Sequence, residues 1–434
     1  MKSLPPDDAR PHRPAQPKTV ATHIDAAELV EESLDILVSS GMLDKDGGPQ
    51  RIVSKFPAQV TRVAKFVEML AASHILNDKA IVEIVSRLGP DDFDHEAETL
   101  ARELVEKGTL TEYQASILIR GDTEGLSYGE FIALENLGSG GMAMVLKAKH
   151  RGTKRIVALK VLSAEAANSG EGRNRFLRES ETLRRLNHPN VVAIYESHQL
   201  GEELLFLAME YVDGPDLADL VRKSGPLPIP IAMHYVLQAA QGLEYAHSQG
   251  VIHRDVKPDN LLVDSQGVVK ILDLGLVRLE EPIVDPNASS DTKVNPGPRL
   301  TSQGAVLGTP NYMAPEQFLD PRSADPKADI YALGYTLYFM VTGKRPYVKP
   351  TPMETLKAHL TEAIPALNDG RDDVPDSVNA IYQKMVAKQP RDRYQSMAEV
   401  IKAIHPPEPS KGGFKPMDMM KRLFGKGAKG EKGE

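Results

Sequence analysis

The apolar positions of this chain follow different periods in different regions. Over residues 22–126 they recur three and four apart within long stretches of Ala, Leu, Glu, Lys and Val, with no convincing period-two run. That pattern predicts an all-α region. From 130 to 405 strand-like and helix-like patterns alternate. FIALENLGSGGMAMVLKAK (131–149) reads as strand, turn, strand, and IVALKVL (156–162) as a strong strand. FLRESETLRRL (176–186) reads as a helix with Phe176, Leu177, Leu183 and Leu186 on its apolar side. The longest apolar stretch, IYALGYTLYFMV at 330–341, directly follows Asp329 and is too short to cross a bilayer. It predicts a buried core helix rather than a transmembrane segment.

The ends lack periodicity. Residues 1–21 are rich in Pro and charge and predict a disordered arm; residues 406–434 open with prolines, end Gly/Lys-rich and predict a flexible basic tail. A short basic amphipathic helix on an anionic membrane is the other reading of FKPMDMMKRLFGK.

A weak repeat runs through the helical region: LVSSGMLDK (37–45), LAASHILND (70–78) and LVEKGTLTE (104–112). Each has Leu, a small or turn residue four on, Leu again, and then a polar residue able to cap a following helix. The spacing is about 33 residues, as in helical repeat arrays. Amphipathic helices resemble one another by chance, so a true repeat and a coincidence both remain open. Carboxylates outnumber Lys plus Arg about two to one over 22–126, which by itself describes only a solvated acidic face.

Composition narrows the classes. The 434 residues are 41% hydrophobic and 26% charged, a globular balance with room for more than one domain. There is no cysteine, which removes disulfides, thiolate metal sites and cysteine nucleophiles and fits a reducing, cytoplasmic setting. The formal charge of −8 argues against nucleic acid as a partner. No apolar h-region follows the start, so no signal peptide is expected.

The chemistry clusters in the alternating region. LGSGGMAMV (137–145) carries Gly138 and Gly140 at the spacing that lets a backbone close over phosphate, yet Ala143 stands where a third glycine would complete G-x-G-x-x-G. A plain turn between strands would read the same. Lys160 lies within an apolar strand, where an ammonium is costly to bury unless used; the wet face of an edge strand would accommodate it equally. Glu179 lies near the apolar side of its helix and is the obvious partner for Lys160, or else an ordinary surface acid. IHRDVKPDNLLV (252–263) gathers Asp255, Lys257 and Asn260 between apolar runs. Phosphoryl transfer needs an acid to accept a hydroxyl proton, a lysine to neutralise the moving phosphoryl group and an asparagine to hold a metal. KILDLGL (270–276) then ends a strand at Asp273, an oxygen donor for a hard cation such as Mg²⁺.

These motifs, with GTPNYMAPE and a later PRDR, arrive in one order. From about 130 to 405 the chain resembles the eukaryotic-type Ser/Thr protein kinases, particularly the bacterial ones. The resemblance implies an α+β, bilobal protein kinase fold, with a small β-rich N-lobe and a large helical C-lobe preceded by the all-α region. It implies ATP and Mg²⁺ as cofactors, with Mn²⁺ as a substitute, and protein substrates as partners. Lys160 would hold the α- and β-phosphates and pair with Glu179. Asp255 would act as base, Lys257 would contact the γ-phosphate, and Asn260 and Asp273 would bind the metal. Gly138, Ser139, Gly140 and Gly141 would cover the phosphates. Leu137, Val145 and Ala158 would lie above the adenine and Leu262 below it, with Met209 as gatekeeper, Glu210 and Val212 as the backbone hinge and Asp216 on the ribose.

Asp329 would tie down the catalytic-loop backbone, and Glu316 with Arg393 would form a buried staple in the large lobe. Arg254 before Asp255 implies an activation segment ordered by phosphorylation, with Thr301 or Ser302 autophosphorylated. Lys257 and Thr309 are features of the Ser/Thr branch. Ala143 and Leu274, which replaces the Phe of D-F-G, depart from the pattern without removing a ligand. The competing readings are a pseudokinase scaffold, which would lack a catalytic residue, and a small-molecule phosphotransferase, which the complete activation segment opposes. Residues 22–126 run directly into the first kinase strand and are expected to dock on the small lobe near Glu179, regulating it in cis or holding a regulatory partner.

Overall fold

The structure, a computed structural model, describes residues 62–89, 96–140, 143–162, 176–177, 180–200, 204–274, 310–320, 325–369 and 371–404. The arm, the tail, the first repeat copy, and Gly141, Glu179, Thr301, Ser302 and Thr309 lie outside them. The chain divides into two compact units, Met1–Ser127 and Tyr128–Glu434.

In the first unit four helices are described: α1 (Arg62–Ala72), α2 (Asp78–Ser86), α3 (Ala97–Glu106) and α4 (Glu112–Ile119). Val63, Phe66 and Leu70 fall three and four apart on α1 and are buried, as are Leu100 and Leu104 on α3. The two described repeat copies are built alike. Leu70 and Leu104 are buried near the ends of their helices; four residues on, His74 (φ +52°) and Gly108 (φ +67°) adopt the left-handed backbone that turns the chain. Three residues later Asn77 and Thr111 cap the next helix, each side-chain oxygen accepting the N–H three residues on, of Ala80 at 2.9 Å and Gln114 at 3.2 Å. Gln114 returns the bond to the Thr111 N–H, closing a capping box. The copies also differ in which apolar residue they bury. The buried apolar residue is Ile75 in one and Leu110 in the other, so Leu76, which aligns with Leu110, is only partly covered.

The second unit begins with a six-stranded sheet of β1 (Ser127–Tyr128, at the unit boundary), β2 (Phe131–Ser139), β3 (Ala143–His150), β4 (Ile156–Leu162), β5 (Ile194–Leu200) and β6 (Leu204–Glu210). Their order is β1-β2-β3-β4-β6-β5, and β2 through β6 pair antiparallel. Residues 176–177 and 180–184 are helical, with Phe176, Leu183 and Leu186 buried as the periodicity requires.

The helical lobe contains α5 (Leu217–Ser224), α6 (Ile229–Ser248), the small hairpin β7 (Leu261–Val263) and β8 (Val269–Ile271), then α7 (Pro315–Leu319), α8 (Pro326–Thr342), α9 (Pro352–Thr361), α10 (Asp376–Met385) and α11 (Met397–Ile404). The apolar stretch at 330–341 lies within α8, buried on nearly every side. Around it α6, α10 and α11 complete one core that includes Tyr235, Leu243, Leu337, Tyr382 and Val400. No helix among the described residues is long and apolar enough to cross a membrane.

Candidate active site

β4 sets one wall of the candidate site. Its alternation places Ala158 and Lys160 on one face, with Met209 and Leu207 opposite them on β6 and Val145 opposite Lys160 on β3. Ala158, Met209 and Val212 form a small apolar cluster with Val192, and Val145, Ile194, Leu262 and Leu272 pack against it. Val145, Ala158, Met209, Val212 and Leu262 are thus brought together. Val192, Ile194 and Leu272 were not singled out; their strand-like spacing marks them as core but not as this patch.

The strands that lead into and out of the glycine-bearing loop stay paired. Gly138 and Ser139 still pair with Val145 and Met144, and the Gly140 N–H donates to the Ala143 carbonyl at 2.8 Å. A side chain at Gly138 would meet no protein atom within 4 Å, so glycine there leaves open backbone rather than relieving an internal clash. Such a surface suits a phosphate cradle. Leu137 is 43% exposed.

Lys160 is buried, and its Nζ lies 2.8 Å from Asp273 Oδ2. Its expected partner Glu179 lies outside the described residues. Asp273 corrects the reading that it ends a strand: β8 stops at Ile271, and Asp273 follows two residues later with φ +55°. That backbone is disfavoured for a side chain with a Cβ. Leu274 joins the large-lobe core.

The catalytic loop is knit by short polar contacts. Lys257 Nζ lies 2.6 Å from Asp255 Oδ2. Asn260 Nδ2 donates to the Asp255 carbonyl at 2.8 Å and to Oδ2 at 3.1 Å. The Asn260 carbonyl accepts the Leu272 N–H at 2.9 Å, which joins this loop to the strand leading to Asp273. Arg254 also has positive φ, +70°. Strained backbone of this kind persists only where its surroundings over-determine it. Here the fully buried Asp329 does so, accepting the N–H groups of His253 at 2.9 Å and Arg254 at 2.8 Å and bonding His247 Nε2 at 2.7 Å. Burial pushes the Asp329 carboxyl up, but the His247 hydrogen bond and the nearby histidines outweigh it and hold it below the usual carboxylate value. From the other side Gln317 donates to the Arg254 carbonyl at 2.9 Å.

Glu316 and Arg393 make the expected staple through two bonds, of 2.6 and 2.8 Å. Arg393 is 2% exposed, also donates to the carbonyls of Lys327, Ala387 and Lys388, and lies over the Tyr331 ring. Asp216 caps α5, accepting the Asp219 N–H at 2.6 Å, and burial raises its carboxyl above the usual value. The residue matched to the ribose therefore also anchors a helix. His247 and Gln317, which hold the catalytic loop, carried no sequence signal.

Among the described residues no group of three or more His, Cys, Asp or Glu forms a ready metal cage. Asn260 and Asp273 could together offer two hard oxygen ligands: the Asn260 amide nitrogen is turned to Asp255, which directs its Oδ1 away from that contact. Two protein ligands suit an ion that keeps waters and binds phosphate oxygens, as Mg²⁺ does.

A curled sheet over a helical lobe, with lysine, acid, asparagine and a second acid gathered around one seam, has the form of a phosphoryl-transfer domain. The protein kinase domain family matches residues 131–404, and the chain belongs to it. It is 36% identical to a probable serine/threonine-protein kinase of Clostridium perfringens, over 62% of this chain and 37% of that protein. It is 35% identical to serine/threonine-protein kinase PknB of Mycobacterium leprae, over 63% of this chain and 43% of that protein. The chain thus spans less than half the length of these curated relatives. Among solved structures, the PknI kinase domain of Mycobacterium tuberculosis is 27% identical, with a TM-score of 0.49 over 64% of this chain and 97% of that one. Family membership implies ATP and a divalent metal ion.

Proposed function

We propose that the chain is a serine/threonine protein kinase that transfers the γ-phosphoryl group of ATP to Ser or Thr hydroxyls of proteins. The observation that carries this reading is the asymmetric Asp255 carboxylate: Lys257 and Asn260 both bind Oδ2, which leaves Oδ1 to receive a hydroxyl proton. The hydroxyl oxygen attacks the γ-phosphorus, the bond to the β-phosphate oxygen breaks, ADP departs and the proton passes to Asp255. Lys257 offsets charge on the moving group, and Lys160 positions the α- and β-phosphates. Asn260 and Asp273 would hold Mg²⁺, which supplies charge neutralisation at the phosphate oxygens. The scaffold alternative requires a missing catalytic residue, and Lys160, Asp255, Asn260 and Asp273 are all present.

Two further expectations belong to this proposal. The first is autophosphorylation at Thr301 or Ser302. The second is a regulatory or partner-binding role for the N-terminal helices, in a reducing, cytoplasmic setting. Labelled-phosphate transfer by the full chain with ATP and Mg²⁺, compared with Asp255→Asn, tests the central claim. Transfer to Ser and Thr that vanishes in the variant supports it, and equal incorporation in both overturns it. Phosphopeptide mapping of the product tests Thr301 and Ser302, and kinetics of a 127–405 fragment test regulation in cis.

A further inference from the structure

Lys270 and Glu210 form an ion pair that neither the motifs nor the transfer chemistry uses. Lys270 Nζ lies 2.6 Å from Glu210 Oε1, and the side chains are only 14% and 24% exposed. The partners come from different lobes: Glu210 closes β6 at the hinge, and Lys270 is the middle residue of β8. The other hinge carboxylate oxygen, Oε2, accepts the Ala193 N–H at 3.2 Å, while the Glu210 N–H donates to the Ala193 carbonyl at 2.8 Å.

The post that carries Lys270 is firm. The Val192 N–H donates to the Ile271 carbonyl at 3.0 Å, and the Ile271 N–H to the Asn190 carbonyl at 2.9 Å. Asn190 Nδ2 reaches the Val269 carbonyl at 2.9 Å. Behind them α6 approaches so closely at Gly242 that an added Cβ would lie 2.7 Å from Ile271 Cδ1 and 2.9 Å from the Asn190 carbonyl oxygen. On β8, Lys270 stands opposite Leu262, which packs against the Ala158–Met209–Val212 cluster, and Asp273 follows three residues later. Exposed ion pairs contribute little because the side chains are free and screened. This one is largely covered, so loss of the ammonium would leave a partly desolvated carboxylate facing one N–H.

We propose that Lys270 is a positioning residue that acts through Glu210 to hold the hinge over Leu262 at the height an adenine ring requires. This rests on the nucleotide reading of the site. The clamp governs nucleotide affinity and not the transfer step, because the Asp255 loop is anchored separately by Asp329 and Gln317.

The test uses the full chain, with calorimetric affinities for adenosine and for ATP with Mg²⁺ and steady-state phosphate transfer. Lys270→Met is expected to weaken both ligands by the same factor, about tenfold, and to raise KM for ATP in step while kcat stays within about twofold. Lys270→Arg restores the affinity, and adding Glu210→Gln to Lys270→Met costs nothing more. If Lys270→Met does not fold, the near-isosteric Glu210→Gln alone carries the comparison. Equal affinities in wild type and variant, or a fall in kcat at constant KM, overturn the clamp and leave the nucleotide reading standing. A wild-type chain that binds neither ATP nor adenosine overturns both.

Discussion

Among the described residues, the first unit buries Val63, Phe66, Leu70, Leu100 and Leu104 with Ser73 and Gln114 as its buried polar side chains, whereas the second buries Lys160, His253, Asn260, Asp329, His359 and Arg393. A charge or an imidazole taken from water needs partners that replace hydration. In the second unit Asp329 has three donors, Arg393 has a carboxylate and three carbonyls, and Lys160 has Asp273. The first unit is held by apolar spacing and helix caps. The difference separates a region whose interior holds paired charges from one whose interior packs apolar side chains between helix caps.

Replacing a charge at the reaction centre should produce the largest effect. Lys160→Met is expected to lower phosphate transfer by about a thousandfold while the chain stays folded, since a preorganised charge is lost. A steady-state assay beside a thermal melt checks this, and near-normal turnover would remove Lys160 from the site. Next comes Asp329→Ala, which strips the acceptor from the buried His253 N–H, the partly buried Arg254 N–H and His247. It should destabilise the second unit by about 3–5 kcal/mol in denaturant titrations. A loss under 1 kcal/mol would mean that the loop holds its positive φ without Asp329.

The buried imidazole of His359 makes the contrast sensitive to pH. Burial, and then the Lys388 charge, push it from its ordinary 6.5 down to about 3, and its Nδ1 pairs with the Tyr331 hydroxyl at 2.8 Å. Between those two values the unfolded chain binds a proton that the folded chain refuses. Stability should therefore fall on acidification from 6.5 toward 3, by about 1.4 kcal/mol per unit from this group alone. His359→Gln should flatten that slope, and an unchanged slope assigns the acid sensitivity elsewhere.

The repeat can be sharpened by exchanging its turn residues. His74→Gly should stabilise the α1–α2 turn, and Gly108→Ala, with open space around it but φ +67°, should destabilise the α3–α4 turn, each by about 1 kcal/mol. Hydrogen exchange of the flanking helices reads both, and effects of the same sign would break the equivalence of the copies. The smallest effect belongs to Ala143→Gly in the glycine-bearing loop. It should change ATP affinity by only about twofold to fivefold, the scale of one residue's backbone freedom.

Local sequence determined a good deal of this protein. The strand carrying Lys160, the buried helix around Asp329, the caps at Asn77 and Thr111 and the loop holding Asp255 and Asn260 are each written within a short stretch of chain. Period, capping and turn chemistry act over that range. The Glu316–Arg393 and Asp329 contacts were also legible, but only through resemblance to a family, since their partners are 77 and 76 positions apart. Tertiary structure alone decided that Asp273 leaves its strand in a left-handed conformation, that Ile75 rather than Leu76 is buried, and that His247 and Gln317 hold the catalytic loop. It alone brought Lys270 to Glu210 across the lobes. A side chain's charge is visible in the sequence, but the partner that makes its burial tolerable is chosen by how distant segments pack.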